Sequence, residues 1–225
     1  MKQRHQVKKK NKLKPFLVIL TLSILILAFS FFNPFTHKTA NDKHGWQLML
    51  VNSEYDIPKN YTVSLIELSN GQKVDERIYP DLQALFDHAR QDGLNLFVAA
   101  GFRSDEEQQK LLDDKIAAYK QEGHKTKKAT ELAKQWVATP GTSEHQLGIA
   151  VDINADNTVS SDDAVYSWLY ENSYQYGFVK RYPENKTDIT GISNEPWHYR
   201  YVGKEAAKIM VEQDLVLEEY LKTLK

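Results

Sequence analysis

Seventeen residues without a charge, Phe16 to Phe32 (FLVILTLSILILAFSFF), divide this chain before any other folding argument applies. Ahead of them lie Lys2, Arg4, Lys8, Lys9, Lys10, Lys12 and Lys14, with no acidic residue among them. A basic leader before an apolar run is the pattern of a membrane-targeting segment. The run reaches the lower end of the roughly 17–25 residues that span a bilayer as a helix. It exceeds the apolar stretch of a cleavable signal, about 7–15 residues. No small-x-small cleavage pattern follows in FFNPFTHKTAND, and the chain has no cysteine to take a lipid. The expectation is a retained single-pass signal anchor, with a cleaved signal peptide as the alternative. The basic side stays in the cytoplasm. The chain then reads as a basic cytoplasmic leader (1–15), an anchor (16–32), a polar linker (33–44) and one extracellular domain (45–225).

Within that domain the composition is ordinary for a globular protein. The whole chain is 41% hydrophobic and 26% charged, with a net charge of −1. Residues 45–225 contain no internal repeat, no glycine-rich phosphate loop and no basic patch of the nucleic-acid-binding kind, so no nucleic-acid partner is expected. The absence of cysteine removes disulfides and thiol nucleophiles. Any metal site must then use His, Asp or Glu.

Periodicity and punctuation predict strands over 46–52 and 61–68, a short strand within 72–80 and a helix over 81–93. A strand over 94–102 leads to Ser104, which precedes the acidic turn DEEQ and is expected to cap a helix reaching about Gln121. Helices over 128–138, 161–177 and 204–224 and strands within 148–153 and 195–203 complete the pattern. Without regular βαβ alternation, the fold class is α+β, a mainly antiparallel sheet flanked by helices. A loop over 186–194 is expected to border any cleft near Glu195.

Two segments carry groups able to do chemistry. In TSEHQLGIAVDI (142–153), Ile149, Val151 and Ile153 alternate with Gly148, Ala150 and Asp152. One face of this strand is branched and apolar; the other is small and ends in a carboxylate. His145 and Asp152 are seven apart, which on one continuous strand places them on opposite faces. A bend at Gly148 would bring them together. In EPWHYRYVG (195–203), Glu195 stands three residues before His198, with Pro196 between. Two histidines and one aspartate make a three-ligand zinc site with a fourth position open to water, the catalytic arrangement. Glu195 would then be a general base for that water. Taken singly, the first segment reads more readily as a surface or hydrogen-bonded turn histidine, and the second as an aromatic strand with a wet polar face.

Taken together, SEHQLGIAVD and EPWH resemble the paired signature S-x-H-x-x-G-x-A-x-D and E-x-x-H of the D-alanyl-D-alanine carboxypeptidase family, which includes VanY and the related L,D-carboxypeptidases. GFRSDEEQQKLL (101–112) resembles a third family segment, with Phe102 where tyrosine is usual. The resemblance spans roughly residues 80–205. It implies His145, Asp152 and His198 as ligands of a zinc ion (Zn2+) and Glu195 as the catalytic base and later the acid. It implies Arg103 as oxyanion stabiliser or substrate ligand, and Ser143, Gln108 and Trp197 as substrate contacts. The implied activity is removal of the terminal D-alanine from peptidoglycan stem peptides outside the bacterial cell membrane, by a monomer. L,D cleavage of tetrapeptide stems is the alternative, and a zinc-stabilised wall-binding module is the non-catalytic one. On this reading the small residues Gly148 and Ala150 leave room for substrate above the metal.

Overall fold

The computed structural model describes residues 37–224, so the leader, the anchor and residues 33–36 lie outside the described residues. Among the described residues no helix is long and apolar enough to cross a membrane. Two small ladders come first. β1 (Lys38–Thr39) pairs in parallel with β2 (Tyr55–Asp56), and β3 (Leu65–Glu67) forms an antiparallel pair with β4 (Lys73–Asp75). The main sheet has four strands in the order β5 (Leu96–Ala100), β6 (Ala150–Ala155), β8 (Glu195–Tyr201), β7 (Phe178–Tyr182). Every pairing in it is antiparallel, as the sequence predicts.

Side-chain alternation divides this sheet into two faces. Val151, Ile153 and Ala155 of β6 join Phe178, Tyr199 and Tyr201 in one buried apolar cluster. Leu82, Leu85 and Ala89 of α1 (Tyr79–Gln91) and Val165 and Leu169 of α4 (Asp162–Asn172) close it from the helical side. Each fully buried aliphatic side chain there contributes about 1.5–3 kcal/mol. The opposite face carries Asp152 and Ala150, directly across from His198 and Arg200. The apolar face therefore anchors the sheet, and the other face is free to hold polar groups.

α2 (Asp105–Gln121) starts where the capping residue predicts. Ser104 Oγ accepts from the Glu107 amide at 3.2 Å, and the Glu107 carboxylate accepts from the Ser104 amide at 2.7 Å. α3 (Thr126–Ala133) is shorter than expected and gives way to turns before Pro140.

Four segments differ from expectation. Residues 46–52 are not a strand: Trp46–Leu48 is a 3-10 turn. The carbonyls of Gln47 and Met49 accept from Arg200 Nη2 at 3.0 and 2.9 Å, so they serve a buried guanidinium in place of a neighbouring strand. β7 went unpredicted because Lys180 and Arg181 interrupt its apolar pattern; Arg181 is nonetheless 1% exposed. The last helix breaks in two, α6 (Lys204–Glu212) and α7 (Leu217–Thr223), at Asp214 with φ 49°. Between β7 and β8, a short helix α5 (Thr187–Thr190) occupies the expected loop.

Candidate active site

The register of β6 against β8 sets Asp152 opposite His198. His145 arrives from outside the sheet, on a 3-10 turn (Glu144–Leu147) closed by Gly148 at φ 74°. Left-handed backbone at that point suits glycine, and the turn reverses His145 back over the strand, as the bend predicts. His145 Nε2 lies 3.3 Å and His198 Nδ1 3.2 Å from the same oxygen, Asp152 Oδ1. That oxygen is buried without a hydrogen-bond partner among the described residues. A tetrahedral zinc ion with ligands at about 2.0 Å requires ligand-to-ligand spacings of about 3.3 Å. The donor types and spacings thus fit zinc, and the three donor atoms all lie within 4.8 Å of one another.

Each histidine is held from behind. His145 Nδ1 faces the Gly101 carbonyl at 2.7 Å, which leaves Nε2 free for a cation. His198 Nε2 faces Glu144 Oε2 at 3.5 Å. Arg103 Nη2 donates to the other Asp152 oxygen at 2.8 Å, and Glu195 Oε2 sits 3.6 Å from His198 Nδ1. Burial, together with the Asp152 and Glu144 charges, outweighs His198 and Arg103 and raises the Glu195 carboxyl to about 7. Burial disfavours charge on His198, but the Asp152 and Glu144 carboxylates prevail and raise it to about 9. Burial depresses His145. Burial opposes charge on Asp152 as well, but His145 and His198 hold it well below the usual carboxylate range. The cluster favours positive charge between its carboxylates, a preference that a divalent cation satisfies.

Arg103, Gln108, Ser143, His145, Asp152, Glu195, Trp197 and His198 all line one cavity of about 150 Å³. The structure thus brings all eight sequence-predicted residues together. Gln108 is 1% exposed; its Nε2 donates to the Ala138 carbonyl at 2.7 Å, and its Oε1 has no partner among the described residues. Ile192, just beyond α5, also lines the cavity, so part of the 186–194 segment does border it. A larger cavity of about 590 Å³ lies elsewhere, between residues 40–55 and α7. None of the three donor residues lines it, and chemistry rather than size decides between the two.

One expectation fails. Gly148 and Ala150 do not line the cavity. A Cβ on Gly148 would stand 3.2 Å from the Asp75 amide nitrogen and 3.3 Å from the Leu65 and Val63 side chains. Ala150 is fully buried across from Arg200. Their small size serves close packing, not substrate. Sequence reasoning also passed over Glu144, Arg181 and Tyr182. Glu144 is 2% exposed and accepts from Arg181 Nε and Arg200 Nη1, both at 2.8 Å. The Tyr182 ring lies 4.7 Å from that of His198. The available signal for Glu144 was its place between Ser143 and His145: a charge there has no solvent to face.

Comparison with known proteins agrees with this geometry. The family model described as VanY, D-alanyl-D-alanine carboxypeptidase, matches residues 71–204. A D-alanyl-D-alanine carboxypeptidase of Enterococcus faecalis (strain ATCC 700802 / V583) is 56% identical over 190 residues, 84% of this chain and 71% of that protein. The structure of VanYB in complex with D-alanine-D-alanine superposes with a TM-score of 0.79 at 57% identity, covering 80% of this chain and 99% of that one. A mutant VanY from the VanB-type resistance cassette, in complex with Zn(II), gives a TM-score of 0.77 at 57% identity, covering 78% and 99%. With a donor set suited to zinc and these matches over most of the folded part, the chain belongs to the VanY family of D-alanyl-D-alanine carboxypeptidases.

Proposed function

We propose that this chain is a zinc D,D-carboxypeptidase that removes the terminal D-alanine from peptidoglycan stem peptides. The observation that carries the reading is the convergence of His145 Nε2, His198 Nδ1 and the unpartnered Asp152 Oδ1, with Glu195 beside them. A zinc ion held by these three supplies Lewis acidity and brings the pKa of a water to about 7. Glu195 takes a proton from the attacking water and returns it to the leaving amine of D-alanine, so water adds across the broken C–N bond. A carboxyl held at about 7 suits both roles near neutral pH. Arg103 points into the same cavity and offsets the charge that builds on the carbonyl oxygen. Ser143, Gln108 and Trp197 contact the peptide. The D-alanyl-D-alanine named for the relatives favours D,D over L,D cleavage.

The basic leader and the uncharged run 16–32 support placement of the domain outside the bacterial cell membrane on a single retained anchor, where stem peptides are found. Membrane fractionation with and without residues 1–32 tests this: loss of membrane association on deletion supports the anchor, and no change refutes it. For the activity, residues 37–225 are incubated with zinc and stem peptides ending in D-Ala-D-Ala or in a single D-Ala, and D-alanine release is followed by mass spectrometry. Chelator-sensitive release from the pentapeptide is expected. Release from the tetrapeptide alone would make the enzyme L,D, and no release with zinc bound would refute the carboxypeptidase reading. Glu195→Ala should lower turnover by about 10²–10⁴ while zinc is retained.

A further inference from the structure

Glu144 does not line the substrate cavity, yet its carboxylate occupies the space directly behind a ligand histidine. His198 presents Nδ1 to Asp152 and Nε2 to Glu144, one nitrogen on each side of the ring. His198 Nε2 and Glu144 Oε2 are both buried, and neither has a hydrogen-bond partner among the described residues. They stand 3.5 Å apart, facing each other. A histidine that ligates through a bare Nδ1 carries its proton on Nε2, and the nearest acceptor for that proton is Glu144.

The other carboxylate oxygen of Glu144 is already committed, because Arg181 Nε and Arg200 Nη1 both donate to it at 2.8 Å. Arg181 is held in turn by Glu218 through two bonds of 2.9 and 2.6 Å. The four charges cancel, and together they stop Glu144 from rotating. Arg200 and His198 are next-but-one neighbours on β8, so a single strand carries both the ligand and the clamp on its supporting carboxylate. One 3-10 turn likewise supplies Glu144 behind one ligand and His145 as the other. His145, by contrast, is backed by a neutral carbonyl, that of Gly101. The two histidines therefore have opposite tautomers and unequal support.

We infer that Glu144 is a positioning residue, which fixes the Nε2–H tautomer and ring orientation of His198 through a carboxylate clamped by Arg181 and Arg200. The inference rests on the zinc reading of the site. It assigns Glu144 no contact with substrate.

The test compares zinc affinity, by chelator competition, in the wild-type domain, Glu144→Gln and Arg181→Met, together with the visible spectrum of the cobalt-substituted proteins. Carboxylates behind ligand histidines typically alter metal affinity by about 10–100-fold. Glu144→Gln should lose affinity on that scale and shift the cobalt bands. Arg181→Met removes one of the two donors that hold Glu144 but leaves Arg200 on it, so its loss of affinity should be smaller than that of Glu144→Gln. Equal affinity in Glu144→Gln and wild type, or a larger loss in Arg181→Met than in Glu144→Gln, would overturn the inference. Nitrogen-resolved NMR of the zinc-loaded wild type needs no variant to fold. A slowly exchanging proton on Nε2 of His198, with the metal on Nδ1, is expected, and the reverse assignment would overturn it. A wild-type domain that binds no zinc would refute the zinc reading itself, and this inference with it.

Discussion

Arg181→Met tests how much of the fold depends on the buried charge network. Arg181 is 1% exposed and makes three bonds to two carboxylates: one to Glu144 at 2.8 Å and two to Glu218 at 2.9 and 2.6 Å. Methionine fills similar space but carries no charge. Glu144 would keep Arg200 at 2.8 Å. Glu218 would keep Asn52 Nδ2 at 3.2 Å and borders the larger cavity, where water can reach it in part. The net effect is one poorly compensated buried negative charge. Removing one partner of such a pair costs about 3–5 kcal/mol. For a domain of this size, each kcal/mol shifts Tm by about 2–4 °C, so the melting point should fall by roughly 6–20 °C. Urea unfolding with chelator present measures the loss without a contribution from zinc binding. Adding Glu218→Leu removes the stranded charge, and the pair should recover about 1–3 kcal/mol through coupling. A single-variant loss below about 1 kcal/mol, or strict additivity in the double variant, would refute the reasoning.

Arg103→Met should lower kcat by about 10²–10³ with zinc retained, if the guanidinium offsets charge on the carbonyl oxygen; a change confined to KM would make it a ground-state substrate ligand instead. Gly148→Ala forces a side chain into left-handed backbone beside Asp75, Leu65 and Val63, and should cost about 1–2 kcal/mol by denaturant unfolding. Burial opposes the charge on Glu144, but Arg181 and Arg200 prevail and hold it well below the usual carboxylate range. A depressed folded-state value stabilises in full above the unfolded value of about 4.3 and is lost as pH falls through the range beneath it. Unfolding free energy of the zinc-free domain should therefore decline below about pH 5, and this decline should be shallower in Glu144→Gln.

The site was legible because its chemistry is local in sequence. His145, Asp152, Glu195 and His198 sit in two short segments with distinctive spacing, and Gly148 announces the bend between the first pair. The strands of the sheet were legible where the apolar pattern is clear, as in the continuous run of β5 and the alternation of β6. What stayed hidden depends on pairs far apart in the chain. Nothing near Arg181 reveals that Glu144 and Glu218 will neutralise it, so a strand through FVKRY looks implausible until both partners are placed. The segment 46–52 has the apolar run of a strand, but the guanidinium of Arg200 claims the carbonyls of Gln47 and Met49. The break between α6 and α7 has no proline or glycine to signal it; Asp214 takes the positive φ.

The pairing of Asp152 with His198 across β6 and β8 also makes the metal a judge of strand alignment. A slip of one residue would turn His198 to the apolar face and bring Tyr199 or Trp197 to the aspartate. Such a misaligned sheet could still bury aromatic surface, but it could not bind zinc. Because a ligand that binds only one state stabilises that state in proportion to RT ln(1 + [L]/Kd), zinc widens the energy gap between the correct alignment and its nearest competitors. In a domain without disulfides, the catalytic ion thereby doubles as a proofreader of the fold.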